Sequence, residues 1–209
     1  MTAITEKLHR AFLQPLGDAV LRHSPAGDKP LSVDLALPNP PRLRVYMYTL
    51  VGGVGTVRPN EYKAVLRVPG QAVGAYDSFD HSDGRLALVV GYRADLDVFV
   101  FWDASLHPRF KNGGNIQVRD TTVHEAAAIG RAEQRRPLSS KVTEVVIACQ
   151  SWNLAQAIDD RVAWTGGVKE GQWASSATER VLEPVVFMLR DVHVLGVLGA
   201  RRVQEVLRS

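Results

Sequence analysis

The chain has 209 residues, of which 45% are hydrophobic and 22% are charged. This composition argues against disorder over most of the length and is sufficient for a substantial hydrophobic core. The formal net charge of +3 is compatible with a polyanionic partner but does not indicate one by itself. The single cysteine, Cys149, excludes an internal disulfide and a cysteine-based zinc cluster. Because no apolar run reaches the ~18 residues of a membrane span, we expect a cytoplasmic protein without membrane contact.

The first 41 residues divide into a helix and a connector. Helical periodicity runs through residues 4–23, and Pro15 should break or restart that helix after one or two turns. Residues 24–41 contain five of the eleven prolines, which favours a connector rather than a helix. Its short segment "LSVDLAL" could add one edge strand to a sheet.

Between residues 42 and 119 the hydrophobic pattern changes to a period of two, which is typical of strands. Turn signals separate the alternating segments, and the turn "RADLD" predicts an antiparallel hairpin between the two strands that flank it. The predicted strands are "RLRVYMYTLV", "EYKAVLRV", "RLALVVGY", "VFVFWD" and "NIQVRD".

A helix is predicted next, in "TVHEAAAIGRAEQRR", with Thr121 or Thr122 as its N-cap. The apolar strand "TEVVIACQ" then ends the β-rich region. After residue 150 the pattern is helical, with two further helices around residues 176–191 and 193–207.

These elements predict an α+β fold, with a curved, mostly antiparallel sheet flanked by helices and a helical C-terminal part. We divide the chain into an N-terminal helix and connector (1–41), a β-rich domain (42–150) and a helical C-terminal region (151–209).

The segment "NEYKAVL" contains a possible nuclease motif. Glu61 and Lys63 are two residues apart on a predicted strand and share one face. Such a pair can hold Mg²⁺ and activate water if a neighbouring strand supplies another acid, for which Asp34 is the upstream candidate. Otherwise these side chains form a solvated face or contact a phosphate. Outside this nuclease alternative, the sequence indicates neither a cofactor nor a metal site.

Aromatic and cationic side chains are concentrated in the β-rich region. Alternation places Tyr46 and Tyr48 on the face shared with Arg42 and Arg44, an arrangement that suits base stacking and phosphate contacts. A second group surrounds the glycine pair of "HPRFKNGGNIQVR", whose backbone can approach a ligand closely. The predicted DNA-backbone or groove contacts of that group are Arg109, Lys111, Asn112, Asn115 and Arg119. The alternatives are core packing for the tyrosines and a solvated turn for the loop.

Taken in order, the segments resemble the N-terminal SRA-like reader module of bacterial McrA-type HNH restriction endonucleases. The resemblance covers roughly residues 42–150 and rests on "RVYMYTL", "NEYKAVLRVPGQ", "GRLALVVGYRADLDVFVFWDASLH", "NIQVR" and "EVVIA". Asn60 replaces an acid that is common at the start of the second segment. The HNH nuclease and its cysteine and histidine zinc ligands do not follow, so the resemblance implies either a reader without a nuclease or one whose nuclease is a separate chain that acts in trans.

The resemblance implies an SRA-like pseudo-barrel that flips a modified base out of duplex DNA into a pocket. Asp103, beside Trp102 at the end of an apolar strand, would then accept a hydrogen bond from an exocyclic amine. Tyr46, Tyr48 and Tyr92 are the proposed stacking side chains, and Asp80 is a second candidate for reading the base edge.

We therefore expect a binding module for modified double-stranded DNA in a restriction or defence system, rather than an enzyme. Two alternatives remain at this point. One is a Mg²⁺-dependent endodeoxyribonuclease that uses Glu61 and Lys63. The other is a scaffold subunit that self-associates, for example as a homodimer, through its C-terminal helices.

Overall fold

Twelve strands and three α-helices make up the computed structural model, which describes residues 3–36, 42–53, 58–138 and 142–165. The helices are α1 (Ala3–Leu13), α2 (Asp120–Ile129) and α3 (Leu154–Ala163). The strands are β1 (Val20–His23), β2 (Leu31–Leu35), β3 (Arg42–Thr49), β4 (Val51–Gly52), β5 (Glu61–Val65), β6 (Tyr76–Asp77), β7 (Leu86–Arg93), β8 (Val98–Trp102), β9 (Phe110–Lys111), β10 (Asn115–Arg119), β11 (Arg131–Pro137) and β12 (Thr143–Gln150).

The largest sheet has seven strands in the order β1-β2-β3-β7-β8-β12-β11. Strands β3 and β7 are parallel, and the other neighbouring pairs are antiparallel. This arrangement confirms the predicted α+β class with a mostly antiparallel sheet. Over the described residues the sheet does not close into a barrel, and β1 and β11 form its two edges.

Alternation along β8 separates the two faces of this sheet, as the period of two predicts. Val98, Val100 and Trp102 belong to one core cluster together with the tyrosines of β3. On the other face, the ring of Phe99 lies 6.3 Å from that of Phe12, which α1 contributes. The predicted hairpin is present, because β7 and β8 pair in antiparallel register around the turn at residues 94–97.

Two smaller sheets complete the β-structure. One has the strand order β10-β5-β4, and the other pairs β6 with β9. The inner face of the three-stranded sheet adds Tyr62, Ala64, Ile116 and Val118 to the core cluster. Its outer face carries polar side chains, since the alternate residues of β5 and β10 are exposed or half-buried.

The predicted helix after β10 is too long. Helix α2 ends at Ile129, and Gly130 adopts a left-handed conformation with φ of 89°, which glycine tolerates without a steric cost. The residues that follow form β11, which pairs with β12 along its whole length. The segment "RAEQRR" favours a helix by composition, but the backbone pairing offered by β12 overrides that preference.

The N-terminal part also differs in detail from its prediction. Helix α1 ends at Leu13, a 3₁₀ segment follows, and the end of the predicted helix is instead strand β1. The predicted edge strand exists as β2, but β1 covers its outer side.

The described residues all belong to the first of two units into which the chain divides, Met1–Gly167. The division at residues 41 and 150 stays a prediction. The helices predicted at 176–191 and 193–207 lie outside the described residues. No helix within the described part has the length and apolar character needed to cross a membrane.

Candidate functional site

A cavity of about 580 Å³ opens beside β3, and four chain segments form its walls. They are the turn before β2, strand β3 itself, the loop after β5 and the segment around β6. A volume of this size falls within the roughly 300–1,000 Å³ that is usual for small-molecule sites.

Aromatic rings form one wall of this cavity. Tyr46 and Phe79 both line it, and their ring centroids are 5.0 Å apart in an edge-to-face arrangement. Phe79 in turn stacks on Phe110 at 4.5 Å. The Tyr46 hydroxyl accepts a hydrogen bond from the backbone N–H of Asp80 at 3.0 Å, and burial raises the pKa of this phenol. The wall is therefore rigid and apolar, with its one hydroxyl already engaged.

Two carboxylates, Asp77 and Asp80, line the same cavity, and they differ in how many hydrogen bonds the described residues give them. Asp80 is ion-paired with Arg44, and its Oδ1 accepts the backbone N–H of Ser82 at 2.8 Å. The hydrogen bonds from Ser82 lead the interactions that lower the pKa of Asp80. Asp77 accepts the N–H of Ser78 through Oδ1 at 2.7 Å, whereas its buried Oδ2 has no hydrogen-bond partner among the described residues.

The loop on the other side of the cavity is anchored by Asn112, which is 3% exposed. Its Oδ1 accepts the backbone N–H of Val68 at 3.0 Å, and its Nδ2 donates to the carbonyls of Gln71 and Ala72. Gly113 follows with φ of 92°, which a side chain would disfavour. Asn112 was predicted as a DNA contact, but its polar atoms are used to position the cavity loop.

Lys29 adds a cation to the cavity lining. Its Nζ lies 4.2 Å from the centroid of the Tyr48 ring, a cation–π contact. Burial and the charge of Arg67 lower the pKa of Lys29 to about 8.

The structure places Trp102 and Asp103, the predicted floor of the base pocket, in the interior. Trp102 has no exposed surface, and Asp103 is 1% exposed. The Asp103 carboxylate accepts hydrogen bonds from the Ser105 hydroxyl at 2.6 Å and from the buried Arg161 guanidinium at 3.1 Å. The Trp102 indole N–H donates to the carbonyl of Gln117. A base cannot reach this pair, so we assign both residues a structural role.

Of the three predicted stacking tyrosines, only Tyr46 lines the cavity. Tyr46 itself is 2% exposed. Tyr48 is not part of the lining, and its hydroxyl donates to the carbonyl of Arg67. Tyr92 stacks on Phe99 at 4.3 Å and donates its hydroxyl to Asp97. Burial, together with this hydrogen bond, raises the pKa of Tyr92 to about 12.

The arginines of β3 are occupied rather than open to a phosphate. Arg44 is paired with the carboxylates of Asp80 and Asp83, and it also donates to the Ser82 hydroxyl. Arg42 donates to the carbonyl of Asp83 at 3.0 Å. These contacts fix the segment that follows β6, so both arginines support the cavity instead of contacting a ligand directly.

The predicted groove residues Lys63, Asn115 and Arg119 do come together, on the outer face of the three-stranded sheet. Gln117 lies opposite Lys63 and Arg119 opposite Glu61 in the antiparallel register of β10 and β5. A second cavity, also of about 580 Å³, opens on this face. Lys63, Asn115 and Arg119 are exposed, and a polyanion could reach them.

Glu61, Lys63 and Asp34 do not form the predicted nuclease site. Asp34 lies on β2 in the large sheet, whereas Glu61 and Lys63 lie on β5. The Asp34 carboxylate is paired with Arg22 and Arg85, at 2.7 Å each, and the hydrogen bond from Arg22 leads the contacts that lower its pKa. In the described part of the chain, no cluster of three or more His, Cys, Asp or Glu side chains could hold a metal ion.

Arg109 and Lys111 are exposed on and beside β9. This strand pairs with β6, with Lys111 opposite Tyr76 and Phe110 opposite Asp77. The guanidinium of Arg109 lies 4.0 Å from the centroid of the Tyr76 ring, and Tyr76 is 62% exposed. An exposed aromatic ring and two cations therefore lie on or beside the small sheet of β6 and β9, which also carries Asp77.

A model of the family described as methylase-associated X1 matches residues 41–158, more than half of the chain. The chain belongs to the methylase-associated X1 family. Searches of curated proteins and of solved structures gave no significant match. The family suggests a modification-associated domain with a role in a restriction–modification system, and does not specifically indicate an SRA-like McrA reader. The matched region includes the cavity walls from β3 to β6 but not Lys29.

Lys29, Asp77 and Phe79 are among the cavity residues that the sequence did not predict. The segment "YDSFDHSD" alternates rings and acids, which is a signal for a structured wall rather than a plain connector. Lys29 carries no comparable signal, because only the packing of the turn before β2 brings it to the cavity.

Proposed function

We propose that this methylase-associated X1 domain binds duplex DNA and holds a modified base, flipped out of the helix, in the cavity beside β3. The observation that carries the proposal is the pairing of an aromatic wall with an unsatisfied acceptor. Tyr46 and Phe79 border the cavity, with 2% and 5% of their surfaces exposed, and Asp77 Oδ2 is a buried acceptor without a hydrogen bond from any described residue.

The chemistry of a nucleobase fits both features. A flipped base loses its stacking and pairing, a cost of a few kcal/mol that pocket contacts must offset. Stacking on aromatic side chains contributes ~1–3 kcal/mol per base. An exocyclic amine, as on cytosine or adenine, supplies the donor that Asp77 Oδ2 lacks, whereas thymine presents a carbonyl at that position of its edge.

Exposed cations would supply the sequence-independent part of the affinity. We assign phosphate contacts to Arg109 and Lys111 near the cavity, and to Lys63 and Arg119 on the outer face of the three-stranded sheet. Each phosphate neutralised in this way releases counterions, so that binding weakens steeply as salt concentration rises. Asn115 would contact the backbone from the same outer face.

The role in a restriction–modification system that the family suggests fits such a reader, because a restriction system must distinguish modified from unmodified DNA. A nuclease partner that acts in trans belongs to this proposal. Nothing in the site favours the Mg²⁺-dependent nuclease alternative, since Glu61 belongs to no cluster of three or more His, Cys, Asp or Glu side chains among the described residues.

Fluorescence polarisation with duplexes that differ at one central base tests the proposal. The panel contains 5-methylcytosine, N4-methylcytosine, N6-methyladenine and the unmodified bases, each at two salt concentrations. We expect one modified duplex to bind at least tenfold more tightly than its unmodified counterpart. A 2-aminopurine placed at the target position should become more fluorescent on binding, because it leaves the stack. Equal affinity for every duplex would refute modified-base recognition.

A further inference from the structure

The cavity beside β3 has a second recognition feature besides its acceptor, namely a cation without an ionic partner. Lys29 lines the cavity and is half-buried. Its ammonium contacts the Tyr48 ring, but among the described residues it makes no ion pair or hydrogen bond. Partial removal of a cation from water costs free energy, which an ionic partner can offset.

The charges near Lys29 do not supply that partner. Besides burial, the charge of Arg67, a second cation on the loop after β5, lowers the pKa of Lys29. Arg67 is exposed and likewise has no ionic partner among the described residues. The ionisable groups that face Lys29 or line the cavity with it are His9 on α1, Asp28 in the turn before β2, Tyr46 and Tyr48 on β3, Arg67, and Asp77, Asp80 and His81 around β6.

Burial and the repulsion from Arg67 together lower the pKa of Lys29 to about 8. The ammonium form of Lys29 is therefore held at a cost in free energy. An anion that binds between the two cations removes that cost, because it favours the charged form. The carboxylates of the cavity do not do so, since Asp80 is bound by Arg44 and neither acid forms an ion pair with Lys29.

We propose that Lys29, together with Arg67, binds a backbone phosphate of the flipped nucleotide. This inference rests on the proposed function, which it extends from the base to the nucleotide. A nucleotide has an anionic phosphate at one end and, for cytosine or adenine, an amine donor on the base. The cavity offers the matching groups, a cation at Lys29 and an acceptor at Asp77.

Removal of single phosphate charges tests the assignment. In the preferred modified duplex, the phosphate on the 5′ or the 3′ side of the modified nucleotide is replaced by an uncharged methylphosphonate. With the native protein, one of these replacements should weaken binding about tenfold, as expected for a charge-assisted contact. With Lys29→Met, which keeps the aliphatic packing, the same replacement should weaken binding by only about threefold, because Arg67 alone still contacts the phosphate. Lys7→Met, on an exposed face of α1, is the control and should keep the full effect.

A second arm uses pH. In the protein without DNA, the Lys29 ammonium loses its proton between pH 7 and pH 9. We therefore expect the affinity of the native protein for DNA to fall as pH rises through 8. Lys29→Arg keeps its charge throughout this range and should bind with little pH dependence. Circular dichroism of each variant verifies that it is folded.

The outcomes separate the two proposals. If the native protein prefers a modified duplex but neither methylphosphonate weakens its binding, the phosphate assignment is wrong and the base reader stands. The assignment is equally wrong if Lys29→Met shows the same loss as the native protein. If the native protein prefers no modified duplex at all, the reader itself fails, and with it this inference.

Discussion

Asp77 and Asp103 occupy similar sequence positions but have opposite environments. Each lies at the end of a strand, next to an aromatic residue, at β6 and β8 respectively. Asp103 is buried and bound by Arg161, whereas Asp77 leaves one oxygen without a partner beside a cavity. A buried carboxylate with a guanidinium partner serves the fold, whereas the unsatisfied oxygen of Asp77 is the acceptor that we propose for the ligand.

The largest expected effect concerns the interior pair. Arg161→Met should lower the free energy of unfolding by ~3–5 kcal/mol, because it leaves the Asp103 charge buried and removes the donor to the Val145 carbonyl. Urea denaturation at pH 7 measures the loss. The double variant Arg161→Met/Asp103→Asn should lose less than the sum of the two single variants. A loss below about 1 kcal/mol for Arg161→Met would remove the distinction between the two aspartates.

The matching substitution at the cavity should affect binding rather than stability. Asp77→Asn retains an oxygen for the N–H of Ser78 but can turn an NH₂ group toward the ligand. A base with an exocyclic amine then meets a donor, and its affinity should fall by roughly tenfold to a hundredfold, equivalent to ~1.5–3 kcal/mol.

Fluorescence polarisation measures that change, and urea denaturation should show a loss of unfolding free energy below about 1 kcal/mol. Asp95→Asn is the control, since Asp95 is an exposed acid paired with Arg93 away from the cavity lining. Equal effects of the two substitutions would argue against a role for Asp77 in recognition.

A third acid, Glu144, lies in the interior next to Asp103. It has no exposed surface and accepts hydrogen bonds from the backbone N–H of Asp103, from Arg136 and from His107. Burial alone would raise the pKa of Glu144, but His107 and Arg136 outweigh it and hold the pKa below its ordinary value of 4.5. The resulting stabilisation is present above pH 4.5 and is lost as pH falls through the lowered pKa.

Glu144→Gln should therefore destabilise the protein by ~1–2 kcal/mol at pH 7, and the difference from the native protein should shrink as the pH drops below 4.5. Urea denaturation at several pH values between 3 and 7 measures this dependence. A difference that is the same at every pH would mean that the charge of Glu144 does not contribute.

The contrast between the two aspartates also explains which parts of the site could be predicted. Local alternation correctly assigned the faces of β8, because a strand repeats every two residues regardless of its partners. The environment of Asp103 depends on Arg161, which lies 58 residues later in the chain. The position of the Asp77 carboxylate depends on the pairing of β6 with β9, in which Asp77 lies opposite Phe110. Both are long-range contacts without a local sequence signature.

Strand β11, which the sequence predicted as part of a helix, also depends on a contact with a distant segment. Strand β11 has the composition of a helix, and the signal against a helix was Gly130, which can end α2 in a left-handed conformation. The correct assignment also required β12, whose residues pair with β11 from Arg131 opposite Cys149 to Pro137 opposite Thr143. Tyr46 and Asp80, which the sequence singled out by residue type, both line the cavity, but their predicted roles toward a base stay predictions.

The smallest expected effect concerns the cations near the cavity. Lys111→Met removes one exposed charge from β9, and we expect binding to weaken about two- to fivefold for modified and unmodified duplexes alike. The slope of log affinity against log salt should become shallower by about 0.9, the value for one phosphate contact. Lys7→Met should leave both quantities unchanged. If Lys111→Met instead altered the preference for the modified base, Lys111 would belong to the base pocket. Strand β9 would then contribute to base recognition as well as β6.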